Sequence, residues 1–351
     1  MDYNLYYKSQ NKIYCLNPMT GAKIWDSGSV LAWTFGTPAV GGGRVFVNNN
    51  GTVVALNAAT GAKLWESAYP ERLGSSPTLS GNAVYVTAGK PYVPPGEFPP
   101  EDGYTRICSL NAATGALLWD TGPFTTDLSW ATPAVAYGRV YATFPDGRLY
   151  AFDQATGAKV WDKEATGYGY TLAVANGRIF ASGDKLYAFN AFTGFKSWDS
   201  GTSITENIVA SPVVANNRVY VAASWPSAGR VYAFNASTGA KLWSSEAVMV
   251  ASNSPLSLMV AGGVIYIGSG SKVFAFDTGG NLIWSGETGT TLPPYPMVAN
   301  GKVYVSAGLK LYAFDLENSA YYASLRARQA AAARRPDMAA LVPDPDLKLE
   351  E

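Results

Sequence analysis

The sequence contains no histidine. That absence removes Ser-His-Asp and Cys-His nucleophilic chemistry, histidine metal sites and histidine pH switching from the functions open to the chain. There are only two cysteines, Cys15 and Cys108. Aligned on the asparagine that follows each, they are offset by one position, so they point to opposite faces of their strands and are expected as free, buried thiols. Charge of one sign is also lacking: Lys plus Arg and Asp plus Glu are equal at 26 each, so no net field draws in nucleic acid or anionic lipid. No apolar stretch approaches the length of a membrane span. The start, Met1-Asp2-Tyr3-Asn4, lacks the basic and apolar regions of a signal peptide. The expectation is a soluble chain whose export signal is absent or already removed.

What is abundant is repetition. Asn57-Ala-Ala-Thr60-Gly61-Ala-Lys-Leu-Trp65 returns as Asn235-Ala-Ser-Thr238-Gly239-Ala-Lys-Leu-Trp243. Copies close on Trp25, Trp65, Trp119, Trp161, Trp198, Trp243 and Trp284, at intervals of 40, 54, 42, 37, 45 and 41 residues. Residues 132–161 display one unit: Thr-Pro-Ala-Val, Gly-Arg-Val-Tyr-Ala, Gly-Arg-Leu-Tyr-Ala-Phe-Asp and Ala-Lys-Val-Trp. These are four short apolar or alternating runs, A to D, rich in the residues that suit strands packed on both faces. The Asn or Asp of the C–D turn can bond its own backbone two residues on, and Gly can take positive φ. The tryptophan is expected to end strand D and to pack on a neighbouring sheet.

Four antiparallel strands at this period predict an all-β propeller, since one unit cannot bury its apolar face alone. Complete sets lie at 37–65, 76–119, 132–161, 171–198, 211–243 and 254–284, with B, C and D at the N-terminus and A, B and C at the C-terminus. Six complete and two partial units make eight blades the preferred count, with seven as the alternative, and Ala320–Leu325 a candidate outer strand. The propeller is read as residues 1–315 and as a monomer. Residues 316–351 are read as a short Ala/Arg-rich helix and a disordered, acidic, proline-bearing tail, with a linker origin among the readings.

In a four-stranded meander the A–B and C–D turns share one face and the B–C and D–A loops share the other. The first face is uniform in this sequence and the second varies, so recognition is sought on the second. That face holds the insertion Ala88–Gly103, stiffened by five prolines and bearing Glu97, Glu101 and Asp102. Three tryptophans outside the repeat, Trp33, Trp130 and Trp225, fall there too. With Phe35, Phe124, Tyr168, Tyr170 and Tyr295 they suit a protein hot spot or sugar stacking, or else plug the channel as core. Asp127, Asp146, Asp184, Glu206, Glu246 and Glu287 are the carboxylates from which a carbohydrate-active enzyme would need an opposed pair. Asp146-Gly147 reads better as a hairpin turn.

The run Val-Tyr-Ala-Phe-Asn-Ala-Ser-Thr-Gly-Ala-Lys-Leu-Trp at 231–243 resembles the repeat of pyrroloquinoline-quinone (PQQ) type propellers, and the likeness extends over residues 3–315. That family includes quinoprotein alcohol dehydrogenases and BamB-like outer-membrane assembly lipoproteins, both eight-bladed. The dehydrogenases share a vicinal cysteine pair and long site-building insertions, which this chain lacks, and no calcium ligand or catalytic aspartate matches residue by residue. The resemblance therefore implies a non-catalytic, extracytoplasmic scaffold with no cofactor and no metal, and the loop reading places the binding of a protein, or a glycan, at Trp33, Phe35, Trp130, Tyr168, Tyr170, Trp225, Tyr295, Glu97, Glu101 and Asp102. The alternative is a PQQ- and calcium-dependent dehydrogenase of minimal size.

Overall fold

The computed structural model describes residues 4–9, 11–29, 31, 34–49, 51–68, 72–91, 103–165, 172–224, 228–247, 249, 256–288, 295–299, 302–307 and 310–315. These form eight antiparallel sheets, each a meander in chain order. Blade 1 has three strands, Leu5–Ser9, Lys12–Leu16 and Lys23–Asp26. Blades 2 to 7 each carry strands A to D, starting at Thr34, Thr78, Ala134, Ala173, Val213 and Leu258 and closing with the Trp-bearing strands. Blade 8 shows Tyr295–Ala299, Lys302–Ala307 and Lys310–Asp315. Eight blades, not seven, is the architecture. The proposed outer strand at 320–325 lies outside the described residues.

The A strands of blades 2 to 8 touch in succession, which places them nearest the axis. Strands B and C are buried on both faces, as in Arg139–Phe144 and Arg148–Asp153. Each core cluster therefore spans two blades: Tyr141, Leu149 and Ala151 of blade 4 pack with Ile179, Ala181 and Phe189 of blade 5. Cys15 and Cys108 are free and buried; Cys15 faces blade 2 from blade 1, and Cys108 faces blade 2 from blade 3.

The C–D turn is built as its residues dictate. Asn57 Oδ1 accepts the amides of Ala59 and Thr60 at 2.9 and 3.0 Å, and the Ala62 amide donates to Thr60 Oγ1 at 3.3 Å. Gly61 sits at φ +74° with the ring of Trp25, from the preceding blade, on its Cα; a Cβ there would lie 2.6 Å from Trp25 Cε3. The same contact joins Gly115 to Trp65, Gly157 to Trp119, Gly194 to Trp161, Gly239 to Trp198 and Gly280 to Trp243. The indole N–H adds direction: Trp25 donates to the Ala58 carbonyl at 2.9 Å, Trp65 to Ala112 at 3.1 Å and Trp243 to Thr278 at 2.8 Å. Glycine is required here twice over, by its φ and by the ring that occupies the side-chain space.

A second inter-blade bond closes the ring. Tyr6 and Tyr141 hydroxyls on strand B each donate at 3.0 Å to the carbonyl one residue past the turn Asn of the next blade, at Ala58 and Ala191. Tyr304 of blade 8 donates in the same way to Pro18, one residue past Asn17 of blade 1. Blade 1 thus follows blade 8 by the same contact that joins blades 1 and 2 and blades 4 and 5.

Two expectations are corrected. The motif tryptophan does not end strand D: Trp65 and Trp161 are third in the six-residue strands Lys63–Ala68 and Lys159–Glu164, which continue to pair with strand C. The insertion is also shorter than 88–103, because Ala88, Gly89 and Lys90 extend strand B opposite Arg106, Thr105 and Tyr104. Backbone pairing outcompetes the loop for those residues. Gly115 and Gly122 separate the two requirements at the turn, since both have positive φ, +75° and +70°, but only Gly115 meets a ring. Gly122→Ala is expected to cost about 1 kcal/mol from backbone strain alone, and Gly115→Ala about 2 kcal/mol more from overpacking, as read from urea unfolding midpoints.

Candidate protein-docking face

The B–C and D–A loops rise on one face, and buried polar side chains fix them. Asn48 Nδ2 donates to the carbonyls of Leu73 and Ser75 at 3.2 and 3.0 Å, and Ser182 Oγ donates to Ala210 at 3.2 Å. Short strands unforeseen in the sequence add to this: Arg72–Leu73, Phe124–Thr125 and Asn207–Ile208 pair back onto strands B or C.

The best-held residue of this face is Trp130. The Ser129 amide donates to Thr105 Oγ1 at 2.7 Å, Thr87 Oγ1 donates to the Ser129 carbonyl at 3.2 Å, and Ser129 Oγ donates to the Thr143 carbonyl at 2.9 Å. The next loop is equally tight, since a Cβ on Gly74 would lie 2.0 Å from the Ser129 oxygen. Ser129 and Ala131 are about 1% exposed, yet Trp130 between them is 57% exposed. A rigid backbone thus presents a large flat ring to solvent.

Phe124 is not part of that rim. It packs on Phe144, Tyr150 and Phe152 at centroid distances of 5.4, 5.1 and 5.8 Å, because the strand Phe124–Thr125 turns it into the core of blades 3 and 4. Phe35 and Tyr295 lie on the A strands of blades 2 and 8, their side chains undescribed. Trp33, Glu97, Glu101, Asp102, Tyr168, Tyr170 and Trp225 lie outside the described residues.

Four of the six candidate carboxylates, Asp146, Asp184, Glu206 and Glu287, are engaged within their own blades. Tyr150 donates to Asp146 at 2.5 Å, Tyr187 to Asp184 at 2.7 Å and Tyr232 to Glu206 at 2.5 Å, in blades 4, 5 and 6 respectively. Arg230 Nε adds an ion pair to Glu206 at 3.5 Å, and Lys272 pairs with Glu287 at 3.1 Å. Asp146 also caps its hairpin by accepting the Arg148 amide at 3.0 Å. Burial pushes the Tyr150 phenol up, reinforced by the Asp146 carboxylate. Among the described residues no three Asp, Glu or Cys side chains converge as metal ligands. Asp146, Asp184 and Glu206 are thus each occupied by a phenol of their own blade.

Burial works against charge on Glu206, but the hydrogen bonds from Tyr232 and Thr205 outweigh it and hold the carboxyl below the usual glutamate range. Burial, and then the Glu206 carboxylate, push the Tyr232 phenol up to about 12. The Glu206 contribution is therefore present above the unfolded glutamate pKa and is lost as pH falls through the lower folded value; the tyrosine contribution is lost as pH rises toward about 12. Tyr232→Phe is expected to raise the Glu206 pKa and cost about 1–3 kcal/mol at neutral pH, with the acid loss of stability starting at higher pH. Carboxyl carbon shifts and urea titrations between acid and neutral pH measure both.

The sequence reading missed a hydroxyl two residues past the tryptophan. Ser27, Thr121, Ser200 and Ser245 accept the amides of Ile13, Ile107, Leu186 and Val231 at 3.0–3.2 Å, sealing the start of strand C. Its signal was the recurring Ser or Thr at that offset.

Comparison with known proteins agrees with this geometry. The BamB of Moraxella catarrhalis superposes with a TM-score of 0.68 at 21% identity, over 89% of this chain and 91% of that one. The computationally designed protein Ika8 gives 0.74 at 15% identity, over 90% and 94%. A europium-containing methanol dehydrogenase gives 0.65 at 13% identity, over 88% and 81%. At these identities the likeness is one of fold. An outer membrane protein assembly factor BamB of Nitrosomonas eutropha is 26% identical over 153 residues, a match covering 42% of this chain and only a third (33%) of the relative's length. The family described as outer membrane protein assembly factor BamB matches residues 9–167 and 145–340, and the chain belongs to that family.

Proposed function

We propose that the chain is a non-enzymatic scaffold in outer membrane protein assembly, located outside the cytoplasm, which binds a protein partner through the B–C and D–A loop face. The observation that carries this reading is Trp130: a 57% exposed indole on a backbone held by three buried hydroxyls. An exposed aromatic anchor held rigid loses little entropy on docking, which favours it as a hot spot. The stretch 92–102, with its prolines and three acids, joins the B and C strands of blade 3, and we propose it as the rim of the contact. A glycan stacking on Trp130 is the second occupant this chemistry allows. The family name of the relatives favours a protein.

A photocrosslinker replacing Trp130 in envelope fractions of the native host is expected to trap a protein partner, and the same group replacing Thr114, on the opposite face, is not. Trp130→Ala combined with deletion of 92–102 is expected to weaken partner capture at least tenfold. Unchanged capture would remove this face from the proposal. Titration with PQQ and calcium is expected to give neither an absorbance shift nor dye reduction with alcohols; either signal would favour the dehydrogenase reading instead.

A further inference from the structure

The face of A–B and C–D turns, uniform in outline, is broken in blade 1 by Met19 and, with aromatic residues, in blade 5. Where other C–D turns carry Ala59, Ala113 and Ala155, blade 5 has Phe192, and where they carry Ala62, Ala116 and Ala158 it has Phe195. Both stand in solvent, 49% and 70% exposed, beside Tyr137 at 46%. Tyr137 occupies the left-handed region at φ +54°, a place filled by Gly42, Gly81, Asn176 and Asn216 in other A–B turns. A bulky residue held there costs about 1 kcal/mol or more. The strain buys a built surface: Tyr137 meets Phe192 at 5.3 Å, and its hydroxyl accepts the Gly177 amide at 2.9 Å. Cations flank both phenylalanines, with the Arg139 guanidinium 5.9 Å from the Phe192 centroid and Lys163 Nζ 5.5 Å from that of Phe195.

We propose that this aromatic, cation-flanked patch at the seam of blades 4 and 5 docks the acidic C-terminal segment of the same chain, residues 336–351. Three facts favour that occupant. Strand C of blade 8 ends at Asp315, on the side where every other strand C enters its C–D turn, so the last described residue lies on the face that bears the patch. The segment carries five acids (Asp337, Asp344, Asp346, Glu350 and Glu351) against one cation, Lys348, with leucines and prolines between them. Its charge and apolar content complement Arg139, Lys163 and the rings. The 20 residues between 315 and 336 reach about 70 Å when fully extended and about 50 Å with the Ala/Arg-rich stretch helical, which still matches the roughly 50 Å that eight four-stranded blades span. A tether of that length gives a local concentration on the order of millimolar, so a weak contact suffices.

The test uses the full chain. Phe195→p-benzoylphenylalanine is irradiated and the adducts are mapped by mass spectrometry, with Ala116→p-benzoylphenylalanine as the control on the equivalent turn of blade 3. The expected result is an intramolecular adduct within 336–351 from position 195 only, its yield falling about threefold with Asp344→Asn and Asp346→Asn together. A covalent dimer, adducts confined to the propeller, or equal yields from position 116 would each overturn the proposal. Crosslinking at position 130 is unaffected by any of these outcomes, so the two readings stand or fall separately.

Discussion

The fold depends on a ring of tryptophans lying on glycines. Six indoles leave their own blade and cover the turn glycine of the next, where the missing Cβ makes room, and in five of these seams a carbonyl takes the N–H. Neither blade buries its face alone. One contact therefore supplies apolar burial, a directed hydrogen bond and the angular step from blade to blade. Losing such a ring to Ala costs about 3–5 kcal/mol where it is well buried, a large share of the stability of an ordinary domain. The surface ion pairs along strand D, such as Lys23–Asp26 and Lys196–Asp199, are exposed and contribute far less.

The seam of blades 4 and 5 departs from this scheme. The Ala58 carbonyl takes both Tyr6 and Trp25, whereas the Ala191 carbonyl takes Tyr141 at 3.0 Å and Arg139 at 3.4 Å, and the Trp161 N–H has no acceptor among the described residues. Gly194 still carries the Trp161 ring, so packing persists where the hydrogen bond does not. The same Arg139 reaches across to Phe192. Sequence change at this seam thus shifts side chains from holding the ring to presenting aromatic surface.

Much of the architecture was legible in the sequence because a repeat writes local geometry many times. Asn57, Thr60 and Gly61 announce their turn through chemistry that acts over four residues. The eight-blade count followed from the two partial units. What stayed hidden was non-local. Nothing in the sequence near Gly61 says that Trp25 will lie on it, or that Tyr304 will reach Pro18 across the closure. The site was less legible for the same reason. Phe124 reads as a loop aromatic until a two-residue strand turns it inward, and nothing in the sequence around Asp146, Asp184 and Glu206 says that strand C brings a phenol to each. Trp130 was visible as a residue outside the repeat, but its rigidity comes from Thr87, Thr105 and Ser129, which the fold brings together across two blades.

The indole N–H protons test this account of the ring most directly. Hydrogen exchange followed on the tryptophan side-chain resonances is expected to show Trp25, Trp65, Trp119, Trp198 and Trp243 strongly protected and lost together on unfolding. Exchange of those five at the rate of a free indole, or their loss one blade at a time, would contradict a ring held by its indole seams.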